Sequence, residues 1–219
     1  MSIPLYWINR LHAGEVLCAF MMAFAIAYKL HYSKIVRNEY YGYPDEWMPS
    51  VSAVIGDRFP ERNLFQFMMA AAGFSRLLLV VCSAVFLESS MIFITGFLRT
   101  ALAGACIYVP SGDCNAFHDL AMILYLAITI YYHIVLLKKL SIKSRSRSKR
   151  LLTCLIVTIF PMVLFFTRHK VYKQPGAYSF YAMVEWLLVP LDVMLDYNAF
   201  KDLLGYVHLQ LISNEKRMI

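Results

Sequence analysis

Histidines beside charged and phenolic side chains are the first candidates for chemistry in this sequence. They stand at the edges of three apolar stretches, and the residues that share this position are His118, Asp119, Arg168, His169, Tyr178 and Tyr181. An imidazole serves well as a general base near neutral pH. Arginine binds phosphate oxygens through charge-assisted hydrogen bonds. We therefore treat His118 and His169 as candidate catalytic bases, and Arg168 with Lys170 as a candidate phosphate contact.

The spacing of these residues is not specific for one chemistry. The sequence has no His-x-x-x-His pair, no nucleophile elbow and no His-x-x-x-x-Asp motif. A single histidine at a membrane interface is more often a hydrogen-bonded structural residue, so that alternative stays open. The five cysteines have no paired spacing, which argues against a disulfide framework or a zinc knuckle. We predict no metal site and no cofactor.

Charged residues also occur inside stretches that are otherwise apolar. They are Arg76, Arg99, Glu185, Asp192 and Asp196. The three acids are spaced so that they share one face of a helix. Depths estimated at about 1.5 Å per residue predict that Arg76 pairs with Glu185. The same estimate places Arg99 beside Asp192 or Asp196. The acids then form either structural ion pairs or the wall of a polar cavity that accepts a lipid headgroup or handles a proton.

The elements that carry these residues are predicted to be membrane spans. Of the 219 residues, 60% are hydrophobic, whereas soluble domains are about 45–50% apolar. The apolar residues form blocks of roughly 20 residues, the length that a spanning helix needs. The fold class predicted is an all-α integral membrane protein, a six-span helical bundle in one domain covering 1–219. The predicted spans are about 11–32, 64–87, 91–110, 118–137, 151–168 and 179–200.

A basic loop sets the predicted orientation. The segment 138–150, KKLSIKSRSRSKR, has many basic residues and no acid, and short loops of this kind stay in the cytosol. Six spans then put both termini in the cytosol and the loops 33–63, 111–117 and 169–178 in the lumen. The net charge of +7 is concentrated here, so it indicates topology and not nucleic-acid binding. Binding of anionic lipid by the loop is the alternative.

The large first luminal loop, 33–63, has the most distinctive composition. Pro44, Pro49 and Pro60 exclude one long helix. Its tyrosines and Trp47 suit the membrane interface, where aromatic rings lie between headgroups and acyl chains. The loop is predicted to lie on the membrane surface, either as a lid over the spans or as a plain aromatic anchor. The first span has no signal-cleavage site after it, so we expect it to be retained.

Several sequence strings resemble a known family. The run PDEWMPSVSAVIGDRFPERNLFQF is followed by SRLLLV, FLRT, FHDLAMI, TRHKVY and PGAYSFYAMVEW. Together they resemble the FRAG/DRAM/SFK family of six-span proteins over roughly 10–200. Within it, the strings are most similar to the post-GPI-attachment-to-proteins factor two branch and to the N-terminal membrane half of fungal CWH-type proteins, which remodel GPI lipid to ceramide.

The resemblance implies remodelling of the lipid of GPI anchors in the endoplasmic reticulum or Golgi membrane, in support of cell-wall integrity. The positions that match family motifs are Pro49, Ser50, Ser52, Gly56, Arg62, Arg76, His118, His169, Tyr178 and Glu185. On this basis His118, His169 and Glu185 are the candidate catalytic residues. The candidate lipid or headgroup contacts are Arg76, Arg168, Lys170, Tyr178, Ser50, Ser52 and Arg62.

Larger fungal relatives carry further spans and a luminal domain of the phosphatase/nuclease kind. We therefore expect this chain to act either as the stand-alone branch does or with a second polypeptide that supplies such a domain. The expected partners are membrane lipids and GPI-anchored proteins, and nucleic acid is not expected. Three function classes stay open: an enzyme or its membrane subunit, a non-catalytic lipid-binding or partner-presenting protein, and a receptor or transporter.

Overall fold

The computed structural model describes residues 2–56, 58–205 and 207–210. Six of its helices are long and apolar enough to cross a membrane, as predicted. The elements are β1 (Ser2–Pro4), α1 (Leu5–Ile35), α2 (Val51–Gly56), α3 (Glu61–Phe86), α4 (Ser90–Tyr108), α5 (Ser111–Leu137), α6 (Ile142–Lys170), α7 (Ala177–Leu204) and β2 (His208–Gln210). Each predicted span lies mostly within one long helix, and most of these helices extend beyond the predicted block.

Proline or glycine comes directly before four of the six long helices. Pro4, Pro60 and Pro110 come directly before α1, α3 and α5. Proline suits a helix start because its missing N–H would have no partner there. Gly176 precedes α7 with a φ of 77°, a left-handed conformation that glycine adopts without steric cost. The sharp entry that it permits places the first turn of α7 against the loop before α2.

The six long helices form a closed bundle. Neighbours contact one another in the order α6, α7, α1, α3, α4 and α5, and α5 returns to α6. Ala19, Ala23 and Ala27 give α1 a buried face of small residues, which allows close helix approach within a membrane. Large apolar side chains such as Phe67, 77% exposed, point outward from the bundle. An apolar outer surface of this kind suits contact with lipid.

Two short elements join distant parts of the chain. The strands β1 and β2 pair in antiparallel fashion, with Ser2 opposite Gln210. The backbone N–H of Leu5 also donates to the carbonyl of Val207 at 2.9 Å. The two ends of the described chain therefore meet at one end of the bundle, as an even number of spans requires. The short helix α2 lies at the other end, against α1, α3, α5 and α7.

Candidate functional site

A cavity of about 440 Å³ lies inside the bundle. All six long helices and α2 contribute to its wall, which is mostly apolar. Polar side chains enter it at two levels. Arg76, Asp192 and Asp196 line the first level, and Glu185 with His118 line the second level nearer to α2. A largely apolar cavity with a few convergent polar groups is the usual form of a small-molecule site.

The first level contains two arginines bridged by two aspartates. Asp196 accepts from Arg99 Nη1 at 2.6 Å and from Arg76 Nη2 at 2.7 Å. Asp192 accepts from Arg76 Nη2 at 3.0 Å and also from Arg99 Nη2. Each carboxylate therefore bonds to both guanidinium groups. We call these four residues the charge network, and its two positive and two negative charges cancel.

Tyr125 and Thr129 add hydrogen bonds to the charge network, and two histidines lie close to it. Tyr125 donates to Asp192 Oδ2 at 2.6 Å, and Thr129 Oγ1 accepts from Arg99 Nε at 2.8 Å. His133 Nε2 lies 3.3 Å from Asp196 Oδ1, and His12 Nε2 lies 4.0 Å from Asp196 Oδ2. Buried charges are tolerated in this way when partners of opposite sign and hydrogen bonds replace the lost water.

The charge network confirms one predicted pairing and corrects the other. Arg99 pairs with Asp192 and Asp196, as predicted. The prediction that Arg76 pairs with Glu185 is wrong, because Arg76 also bonds to the two aspartates. A depth counted in residues locates only the backbone of Arg76. It ignores the length of the side chain, which carries the guanidinium group to the aspartates. Glu185 is instead bound to the first loop, where its carboxylate accepts from the backbone N–H of Val51 at 2.8 Å.

The second level brings a carboxylate and an imidazole to the same cavity. His118 Nδ1 lies 3.1 Å from the carbonyl oxygen of Val109. A carbonyl can only accept, so Nδ1 carries the proton and Nε2 of the neutral ring is an acceptor. This is the tautomer in which Nε2 can receive a proton from a ligand. Ser52 also lines the cavity, so three of the predicted site residues, His118, Glu185 and Ser52, lie together.

The first loop closes this end of the cavity and is fastened to α7. Val51, Ser52 and Ile55 of α2 form part of the cavity wall. Tyr178 donates to Ser50 Oγ at 2.9 Å. The fully buried Glu46 accepts from the backbone N–H of Ser179 at 2.8 Å and from its hydroxyl at 2.7 Å. These bonds connect the loop to the start of α7 and give it the position of a lid.

The remaining predicted residues do not reach the central cavity. The ring of His169 lies 5.3 Å from Tyr178, between centroids. Arg168 lines a separate, open depression at the end of α6. Lys170 is bound to Glu39 at 3.0 Å, and Arg62 lies 3.6 Å from Asp113. The polar residues that the sequence places at one membrane edge are therefore divided between the cavity and the surface.

Loss of the surface ion pair between Lys170 and Glu39 is expected to change the stability of the protein only slightly. A hydrogen bond from the Lys170 ammonium holds the pKa of the Glu39 carboxyl below its usual range. The stabilisation from this ion pair is therefore fully present above the ordinary pKa of a glutamate. It is lost as the pH falls through the lowered pKa of Glu39. Because both side chains are partly exposed, Lys170→Ala is expected to leave the thermal unfolding temperature nearly unchanged at neutral pH. A loss as large as that of a buried residue would contradict the surface position.

Sequence reasoning missed His12, Tyr125, Thr129 and Glu46. Tyr125, Thr129 and His133 follow His118 on α5 at seven, four and four residues, a helical spacing that places them on one face. That polar stripe was a usable signal. Among the described residues, no group of three or more histidine, cysteine, aspartate or glutamate side chains is placed to hold a metal ion.

The comparisons with known proteins agree with this architecture. The family model described as the Frag1/DRAM/Sfk1/Cwh43P N-terminal domain matches residues 4–205. The chain belongs to this family, which confirms the resemblance inferred from the sequence. Among individual proteins, it is similar to the protein named "Protein cwh43" of Schizosaccharomyces pombe, at 40% identity over 212 residues. The alignment covers 92% of this chain and 22% of that protein, so the chain spans about a fifth of its relative. No solved structure matches.

Proposed function

We propose that this multi-pass membrane protein takes part in remodelling the lipid of GPI anchors, by exchange of the anchor lipid to ceramide. It acts as the enzyme or as its membrane subunit, in the endoplasmic reticulum or Golgi membrane. Both termini face the cytosol and the lid faces the lumen. The observation that carries the proposal is the central cavity, which combines apolar walls with His118 and Glu185. Family membership and the likeness to the fission-yeast protein support it.

The charges of the cavity favour the uncharged part of a lipid. The charge network is already neutral, so it needs no anion from a ligand. In the described part of the chain, the second level adds the carboxyl group of Glu185 and neither a lysine nor an arginine that a phosphate could pair with. The amide and hydroxyl groups of a ceramide match Glu185, His118 and Ser52 as hydrogen-bond partners. The phosphate of the anchor would then stay outside the cavity, near Arg168 at the end of α6.

The cavity gives each candidate residue a distinct role. His118 receives a proton at Nε2 while its Nδ1–H stays bound to Val109. Glu185 positions the lid through Val51 and lines the ligand space. Arg76 shapes the inner end of the cavity, with the charge network behind it. Ser50 and Tyr178 hold the lid. His169 lies outside the cavity and has an aromatic environment.

Alanine substitutions at the three predicted catalytic positions test the proposal. We expect His118→Ala to lower the fraction of ceramide-type anchors about a hundredfold, the lower end of the range for loss of a general base. Glu185→Ala is expected to lower it as well, because Glu185 lines the ligand space and holds the lid through Val51. His169→Ala is the matched control, a histidine outside the cavity, and is expected to stay near the unsubstituted level. The measurement is mass spectrometry of GPI lipids at equal protein level. Normal ceramide-type anchors in both His118→Ala and Glu185→Ala would refute the proposal.

A second candidate function is a non-catalytic domain that binds the lipid and presents it to a catalytic partner. It is favoured because the cavity wall is mostly apolar and the charge network is already neutral, features that serve lipid binding whether or not chemistry follows. The partner would be a second polypeptide that carries a luminal phosphatase/nuclease-like domain. Reconstitution of this chain alone with a GPI lipid separates the two candidates. Turnover without a partner supports the enzyme, and binding without turnover supports the presenting domain.

A further inference from the structure

Part of the wall of the central cavity is formed by small residues of α3 and α4. Four small residues line it there: Ala70 and Gly73 on α3, and Ala103 and Gly104 on α4. Ala70 is exposed. A Cβ atom added to Gly73 would meet no neighbouring atom of the described structure within 4 Å. The wall is therefore open at this point, which we call the α3–α4 window.

Close contacts bound the α3–α4 window at both ends. At the end nearer to α2, Gln66 Nε2 donates to the carbonyl of Ile107 at 3.0 Å. At the other end, a Cβ atom added to Gly96 would lie only 2.5 Å from Val80 Cγ1, so the two helices are in direct contact. Gly73 lies midway between Gln66 and Val80, about 10 Å along the helix from each. The opening is therefore a bounded gap and not a general separation of the helices.

The burial of α4 agrees with a gap in this half of the helix. The buried residues of α4 are Ile92, Thr95, Gly96 and Arg99, all in its first half. From Thr100 to Tyr108 every residue is partly or fully exposed, including those that line the cavity. The second half of α4 is thus bounded by the cavity on one side and by the outside of the bundle on the other.

The depth of the α3–α4 window decides what can pass through it. Gly73 stands near the middle of the 26-residue helix α3. The hydrocarbon layer of a bilayer is about 30 Å thick, so the middle of a spanning helix faces acyl chains and not water or headgroups. We propose that the α3–α4 window is a lateral portal through which a hydrocarbon chain of a membrane lipid enters the cavity. This portal rests on the proposed lipid-binding function.

The portal leads to the polar groups inside the central cavity. From Gly73 the wall continues along the same helix to Arg76 and across the cavity to Val189 and Glu185 of α7. A chain that enters sideways keeps its apolar length against apolar walls, and its polar end can meet Glu185 and His118. The lid then need not open for the chain to enter, because the bonds of Glu46 to α7 stay in place.

Filling the α3–α4 window tests the portal without a predicted clash. Gly73→Phe places a large side chain in open space and replaces a poor helix former. The matched control is Gly14→Phe, because Gly14 of α1 is exposed, has equal room for a Cβ atom and does not line the cavity. The probe is a ceramide with a terminal diazirine on its acyl chain, in phosphatidylcholine vesicles. Mass spectrometry locates the photolabelled residues.

We expect Gly73→Phe to lower the initial rate of labelling of cavity residues at least tenfold, while Gly14→Phe labels like the unsubstituted protein. Ala103→Phe, on the opposite side of the window, is expected to reproduce the loss. Labelling of cavity residues at an unchanged rate in Gly73→Phe would overturn the portal and leave the proposed function intact. Failure of the unsubstituted protein to label within the cavity would overturn both. Equal thermal unfolding temperatures of the variants show that a loss is not misfolding.

Discussion

Asp196→Asn is expected to lower the unfolding temperature of the protein sharply. The substitution keeps the shape of the side chain and removes a negative charge that bonds to both Arg76 and Arg99. Two buried guanidinium groups would then share the single carboxylate of Asp192. Removing one partner of a buried ion pair costs about 3–5 kcal/mol, which is a large part of a typical total of about 5–15 kcal/mol. The measurement is thermal unfolding of the purified protein in detergent.

The control for this prediction is Asp113→Asn. Asp113 is also paired with an arginine, but its side chain is 52% exposed and lies 3.6 Å from Arg62, so its loss is expected to change stability by less than about 1 kcal/mol. Adding Arg99→Met to Asp196→Asn restores equal numbers of positive and negative charges and should recover part of the stability. Equal unfolding temperatures for the Asp196 and Asp113 variants would show that the charge network does not hold the helices together.

Glu46→Gln is expected to release the lid while the spans stay folded. Glu46 receives two hydrogen bonds from Ser179 and one from the N–H of Gly176, at 3.1 Å. A neutral amide replaces a charged acceptor, and hydrogen bonds to charged groups contribute about 1.5–3 kcal/mol. The open fraction of the lid should therefore rise roughly 10- to 100-fold. Hydrogen exchange of residues 36–56 and of the first turn of α7 measures this change.

The matched control for Glu46→Gln is Glu39→Gln in the same loop. Glu39 is 63% exposed and bonds to Lys170 on the surface, so its exchange pattern is expected to stay close to that of the unsubstituted protein. Faster exchange confined to the lid in the Glu46 variant is the predicted pattern. An equal response of both variants, or faster exchange in all six long helices, would contradict a local fastening by Glu46.

The elements that span the membrane could be predicted from the sequence, because long apolar blocks depend on local composition alone. The shared face of Glu185, Asp192 and Asp196 followed from helical periodicity within α7. The pairing of Arg76 could not be predicted, because it depends on how α3 and α7 are aligned and on side-chain reach. Glu46 was missed for a related reason: Ser179, which donates two hydrogen bonds to it, lies 133 residues away in the sequence, and nothing near Glu46 marks it as buried.

The difference between local sequence pattern and packing between helices also explains which site residues were found. His118 and Glu185 attract attention because each is polar at the edge of, or inside, an apolar block, and both line the cavity. Arg168, Lys170 and His169 attract attention on the same grounds but face the surface or aromatic neighbours. Residue type identifies candidates for chemistry, whereas the direction of each side chain depends on packing between helices. A single sequence does not determine that packing.

The positions of the charge network along the chain also determine when, during synthesis, its charges become paired. Its arginines are in α3 and α4, whereas both of its aspartates are in α7, which follows these helices along the chain. During synthesis Arg76 and Arg99 therefore reach the membrane before any carboxylate of the network exists. Each unpaired arginine carries an insertion cost of about 2.5–3.5 kcal/mol until then. The charge network is therefore completed only when α7 arrives, after α3 and α4 are already in the membrane.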